Sequence, residues 1–221
     1  MTRSHKPECQ CNECLISYGA YPYEQPREAR QTLDQRQPTE TVQRVSPIPA
    51  EAYLKANPVL NKYLETKPFS VPPVNNKDHK PNVYYLASPY SHKQKDVMEQ
   101  RYLNVVRTAA ILTTEFLYCL IEPIGMGHPM SKVHEMPTGY EYWKRRDRAF
   151  IDASAGVIVA AMDGWLHSEG VTDEIDYALS LNKPVYILLP NLTPRKAHFI
   201  LLDENTAGLL SLIRKQSYTG T

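Results

Sequence analysis

The chain has 221 residues, a formal net charge of +1 at pH 7 and 22% charged residues. That length accommodates one sizeable core and an appendage without disulfides, and the near balance of acids and bases provides no cationic surface for nucleic acid or an anionic membrane. No apolar run approaches the roughly 20 residues of a bilayer span, and the opening MTRSHKPECQCNEC is too polar for a secretory signal, so the expectation is a cytoplasmic protein with neither a nucleic-acid nor a membrane partner.

Residues 1–81 are rich in proline, glutamine and charge, and read as an extension that is partly disordered or wraps the core, because they bury too little apolar area to offset the entropy of ordering. Only PAEAYLKANPVLNKYLETKP suggests short helices there, broken at Pro58. Three of the four cysteines, Cys9, Cys11 and Cys14, stand with His5 in HKPECQCNEC. This set has the chemistry for a structural zinc, but the one-residue gap after Cys9 departs from the usual knuckle spacing, and a flexible tail is the ordinary reading. Cys119, inside FLYCLIEP, reads as a buried structural thiol.

From Asn82 the texture changes, and residues 82–221 read as an α/β domain. VYYLAS is a buried strand, ending at the turn of Ser88 and Pro89. Met98, Tyr102, Val105, Ala109, Leu112 and Phe116 then recur in steps of four and three, the mark of one face of a long helix. A strand at YCLIEP, a loop through Gly125, Gly127 and Pro129, a helix at GYEYWKRRDRAFIDAS, a strand at GVIVAAMD, a helix opening in GWLHSEGVTDEIDYA, a strand at PVYILLP and a last helix near TAGLLSLIRKQ complete the series. Strands alternating with helices predict a parallel sheet covered on both faces, of flavodoxin or Rossmann type, with ligands beyond the carboxyl ends of the strands.

Two acids fall on faces that should be apolar. Asp147 shares a helical stripe with Tyr140, Trp143, Phe150 and Ile151, while Glu174 shares one with Val171, Ala178 and Leu181. Glu174 is expected in the first turn of its helix, where the dipole favours an ionised carboxylate, and Asp147 is expected to be the more desolvated of the two, with a raised pKa. Ser168 is an N-cap by position, and the same helix start, with Gly170 allowing close approach, is a ready anion site.

The segments YYLASPY, RYLN, EPIGMGHP, YEYWKRRDRAFIDASAGVIVAAMDGW, SEGVTDEIDYA and NKPVYIL, in this order over about Val83 to Leu189, resemble the nucleoside 2-deoxyribosyltransferase superfamily. Within it the nearest likeness is to the 2'-deoxynucleoside 5'-monophosphate N-glycosidases and a related uncharacterised domain family of phages and bacteria. The resemblance implies cleavage of the bond between sugar and base, with Glu174 as nucleophile, Asp147 as the acid that handles the base's proton, and Tyr85 orienting the glutamate. It implies further that Ser168 and Gly170 hold a 5'-phosphate. The deoxyribosyltransferases carry an aspartate at the place of Ser168, where a carboxylate would repel a phosphate, so the serine tilts the reading toward a nucleotide substrate. A homodimer or higher homo-oligomer is implied by the resemblance alone.

Further candidates for substrate contact are Ser88 and Pro89 after the first strand, His128 as a reader of base or phosphate, Gly164 at the turn, Trp165 and Tyr90 as stacking surfaces, and Arg101 as a phosphate ligand. Each has an ordinary alternative: a loop histidine holding a turn, aromatic packing, a solvated charge. The cluster Lys144, Arg145, Arg146 and Arg148 reads as a solvated face. His134, His167 and His198 lack metal-ligand spacing, so neither a catalytic metal nor another cofactor is expected. Three rival readings stay open at this level: base exchange between deoxynucleosides, a nucleotide-binding sensor without turnover, and an extension that is itself the functional part, with the α/β domain as a platform for a protein partner or zinc.

Overall fold

The computed structural model describes residue 58 and residues 70–190 and 196–202, all within one compact unit, Pro47–Thr221. The cysteine-rich start, the short helices proposed before residue 70, except for position 58, and the last helix near TAGLLSLIRKQ lie outside the described residues.

The order of elements is β1 (Val83–Ala87), α1 (Lys95–Phe116), β2 (Cys119–Ile121), α2 (Pro123–Val133), α3 (Tyr140–Ala153), β3 (Gly156–Ala160), a single 3-10 turn (Trp165–His167), α4 (Glu169–Ser180), β4 (Val185–Leu188) and β5 (Phe199–Leu201). The strands form one sheet in the order β2-β1-β3-β4-β5. The first four run parallel, and β5 pairs antiparallel with β4. The fold is therefore α/β as expected, with a mixed rather than wholly parallel sheet.

Both sheet faces are buried because each strand is a continuous apolar run whose side chains alternate between two cores. Tyr85, Ala87, Val157, Val159, Val185 and Ile187 join Ile151 of α3 and Val171, Ile175 and Ala178 of α4 on one face. Tyr84, Leu86, Ile158, Ala160, Tyr186 and Leu188 join Val105 and Leu112 of α1 on the other. Gly156 opens β3 because a side chain there would come within 2.6 Å of the Pro184 carbonyl oxygen. Residues before β1 bond to this body: Ser70 N–H donates to Phe199 O and Asn82 N–H to Val74 O, while the hydroxyls of Tyr84 and Tyr118 donate to Pro73 O and Pro72 O.

Four expectations are corrected. The stretch through Gly125, Gly127 and Pro129 is helix α2, not a loop. Glu122 caps it, accepting from Ile124 N and Gly125 N at 2.8 and 2.5 Å, and Pro123 suits its first turn. The glycines fit because Glu122 and Trp143 lie against them. Phe199–Leu201 forms a strand that the sequence reading passed over, a run of only three residues. Cys119 is exposed at the edge strand β2 rather than buried. Leu181 follows the end of α4 and is 39% exposed, while Ile175 takes the inward place instead.

In a sheet of this order, the loops after β1 and β3 leave toward opposite neighbours and open a crevice between them. Those two loops carry Ser88 to Ser91 and Ala161 to Gly164.

Candidate active site

Tyr85 lies on β1 beneath that crevice, fully buried, and its hydroxyl donates to Glu174 Oε1 at 2.5 Å. Glu174 comes from α4 and Asp147 from α3, two helices packed side by side on the same sheet face. The two carboxyls lie close enough that the Asp147 charge acts on both Glu174 and Tyr85. The structure thus brings the three residues together. Glu174 Oε2 and Asp147 Oδ1 are shielded from solvent and have no hydrogen-bond partner among the described residues. Ser88 Oγ, at the end of β1, is in the same condition, and Pro89 beside it is buried.

The protonation order is not the expected one. Burial pushes the Glu174 carboxyl well above its ordinary value, against the lowering effect of the Tyr85 hydrogen bond, and the charges of Asp147 and Asp173 push it further. Asp147 is raised by burial to about 6, partly held down by Arg146, whose Nε stands 3.5 Å from Oδ1. The expectation of an ionised Glu174 fails for two reasons. Helix α4 begins at Glu169, which leaves Glu174 in the second turn, past the reach of the dipole. The side chain also sits deeper than spacing alone can reveal. Burial and the two acids likewise hold the Tyr85 hydroxyl well above the ordinary phenol range, so it remains a donor.

At the mouth, Gly164 has φ +84, a left-handed conformation that glycine adopts without strain. Arg101 of α1 lies against it, and its guanidinium donates to Ser91 O at 2.7 Å and, more weakly, to Tyr90 O and Asp163 O at 3.5 and 3.4 Å. It thereby ties the loops after β1 and β3 together. Ser168 caps α4, its Oγ accepting from Val171 N at 3.4 Å. The space over Gly170 is open, with only Ser168 Oγ at 3.9 Å from where a side chain would begin.

Two candidates are engaged elsewhere. Trp165 is 1% exposed within the core of the α3–α4 face, which makes it packing rather than a stacking surface. His128 is buried, shares a hydrogen bond between Nδ1 and the Tyr90 hydroxyl at 2.8 Å, has Glu99 Oε2 at 3.1 Å from Nε2 without hydrogen-bond geometry, and stacks on Tyr102 at 4.1 Å. The histidine holds the Tyr90 loop to α1 and α2. Among the described residues, no group of three or more His, Cys, Asp or Glu is arranged to hold a metal ion, and no helix is long and apolar enough to cross a membrane.

Of the cationic cluster on α3, Arg145 is exposed as expected, but the other three are engaged. Arg148 grips Asp173 of α4 with Nη2 to Oδ1 at 2.7 Å and Nε to Oδ2 at 3.2 Å, and Lys144 Nζ lies 3.3 Å from the same Oδ1. Arg146 turns the other way, donating to Pro123 O at 2.9 Å and covering the Trp143 ring at 4.5 Å. These contacts escaped sequence reading because a run of basic residues looks alike whether its partners are water or an acid on another helix. The one available signal was Asp173, an acid beside a suspected functional glutamate.

No curated protein matches the chain. Residues 82–189, from just before β1 to just after β4, match a family described as a domain of unknown function, DUF1937.

Proposed function

We propose that the chain is an N-glycosidase that cleaves the bond between base and sugar in a 2'-deoxynucleoside 5'-monophosphate. The observation that carries the reading is the pair of carboxyls of Glu174 and Asp147, each with one oxygen shielded from solvent and the Asp147 charge acting on Glu174, set about Tyr85 below the crevice. Burying two acids together is costly unless a bound group completes them. Their resting state holds a proton, and a leaving nucleobase needs one.

In the reaction, the proton that rests on Glu174 passes to Asp147, which leaves Glu174 ionised and held by the Tyr85 hydroxyl. The C–N bond breaks with its electron pair going to the base, which takes the proton from Asp147, while a Glu174 oxygen bonds to the anomeric carbon. Water then attacks that carbon, Asp147 takes the proton released from the water, and the ester bond to Glu174 breaks. The products are the free base and the 2-deoxyribose 5-phosphate. Ser168 and the open helix start at Gly170 suit the phosphate, with the serine hydroxyl free to donate.

The test is incubation with a panel of nucleosides, nucleotides and their deoxy forms, with released bases read by chromatography. Free base from deoxynucleoside monophosphates, abolished in Glu174→Ala and Asp147→Asn, is expected. Undiminished release in either variant removes that residue from the mechanism. Addition of a second base separates hydrolysis from exchange, since exchange yields a new nucleoside. Binding of a nucleotide without product after long incubation would make the chain a sensor instead.

A further inference from the structure

Each of the two coupled acids has, as its immediate neighbour in sequence, one member of a single ion pair. Asp147 is followed by Arg148, and Glu174 is preceded by Asp173. Successive residues on a helix are turned by about 100° from one another, so the neighbours point away from the acids and into the seam between α3 and α4. There the Arg148 fork meets both Asp173 oxygens, with Lys144 against one of them. Tyr140, at the start of α3, lies near enough to the same carboxylate that, beyond the effect of burial, Asp173 raises its hydroxyl's pKa.

We infer that the Arg148–Asp173 pair, braced by Lys144, is the positioning element that sets the spacing between the Glu174 and Asp147 carboxyls. The inference rests on the proposed reaction only for its consequence in turnover. An exposed ion pair ordinarily contributes little, but this one is bidentate, and although Arg148 is 38% exposed, Asp173 is only 22% exposed. Arg148 also lies over the Tyr177 ring at 4.5 Å, and the Tyr177 hydroxyl donates to Asp152 at 2.8 Å. The polar seam thereby runs from Tyr140 to Asp152, nearly the whole of α3.

The apolar residues beneath it, Ile151 of α3 and Val171 and Ile175 of α4, belong to one shared core whose burial has no directional preference. They hold the helices together while leaving rotation and sliding cheap. A planar guanidinium bound through two nitrogens does fix direction. Because each paired residue is covalently next to an acid, any slip of the fork moves a carboxyl.

The experiment reads the coupling between the acids directly, by carbon-13 NMR titration of the Glu174 carboxyl in the nucleotide-free protein. The displacement of its midpoint caused by Asp147→Asn is measured first in the parent chain, then in an Asp173→Asn background and in an Arg148→Lys background. Arg148→Lys keeps the charge but loses the fork, and serves where Asp173→Asn folds poorly. Tyr85, Asp147, Asp173 and Tyr140 are the titratable groups acting on or beside Glu174; Tyr85 and Tyr140 remain in every variant, Asp147 is the probe, and Asp173 is lost only in its own background.

The displacement is expected to shrink to about half or less in both backgrounds, with free-base kcat reduced about 10- to 100-fold and KM little changed, the scale of a misplacement near one ångström. An undiminished displacement in both backgrounds overturns the inference. The titration needs no turnover: if the parent releases no base yet the displacement shrinks, the glycosidase reading fails while the positioning role stands.

Discussion

Asp147→Asn should make the protein more stable at neutral pH while abolishing its proposed activity. Burial raises the Asp147 pKa from 3.8 to about 6, so the native state holds a proton that the unfolded chain gives up more readily. Below pH 3.8 both states are protonated and the residue carries no penalty. Between 3.8 and about 6, the unfolded chain ionises first and stability falls as pH rises, and above about 6 the full penalty persists. At 1.36 kcal/mol per unit this amounts to about 2–3 kcal/mol. Asparagine, neutral throughout and still offering an oxygen to Arg146, escapes it. Urea unfolding of parent and variant at pH 4 and pH 7 is the assay, with the variant gaining about 2–3 kcal/mol at pH 7 and only about 0.5 kcal/mol at pH 4. A gain equal at both values, or a loss at pH 7, would refute the claim that Asp147 is ionised at a desolvated site.

Two further substitutions probe the same site from other sides. Tyr85→Phe removes the hydrogen bond to Glu174 Oε1, worth about 1.5–3 kcal/mol to a charged acceptor, so kcat should fall about 10- to 150-fold and the Glu174 midpoint should rise; an unchanged midpoint by carbon-13 titration would detach the tyrosine from the glutamate. Gly164→Ala places a side chain at φ +84 and within 2.5 Å of Arg101 Nη2, which should destabilise the fold by about 1–2 kcal/mol and release Arg101 from the Asp163 carbonyl; a thermal midpoint equal to the parent's would show that the loop relaxes freely.

The fold class was legible because alternating apolar runs and amphipathic stretches need no long-range information. Val105, Ala109, Leu112 and Phe116 occupy the core-facing side of α1 that their spacing indicates. Helix α2 was illegible because Gly125, Gly127 and Pro129 lower helix propensity locally, and what overrides it, the Glu122 cap and the packing of Trp143, comes from outside the segment. The direction in which Glu174 and Asp147 point was read correctly from periodicity. Their protonation was not, since a pKa depends on depth and on charges from other helices. Asp173 shows the same limit: its own carboxyl, raised by burial, is carried below the ordinary range by Arg148 and Lys144, partners on a different helix. His128 and Trp165 were credited with ligand contact because residue type carries chemistry, but burial decides whether that chemistry is available.

The charge pattern across the crevice bears on whether a phosphorylated ligand is the preferred one. The deep end holds two coupled acids, while the mouth offers Arg101, the Ser168 hydroxyl and the free amides at the start of α4. In the proposed reaction the anionic group lies at the mouth, with the reacting sugar carbon toward Glu174. One residue works against this: Glu169, exposed in the first turn of α4 beside Ser168, adds a negative charge where the dipole would otherwise serve the ligand. Glu169→Gln should therefore lower KM for a deoxynucleoside monophosphate by about two- to fivefold at low ionic strength, with the gain fading in salt, and should leave KM for the unphosphorylated deoxynucleoside unchanged. Both substrates gaining equally would show that the phosphate does not sit at this helix start, and the serine at position 168 would then be a cap and nothing more.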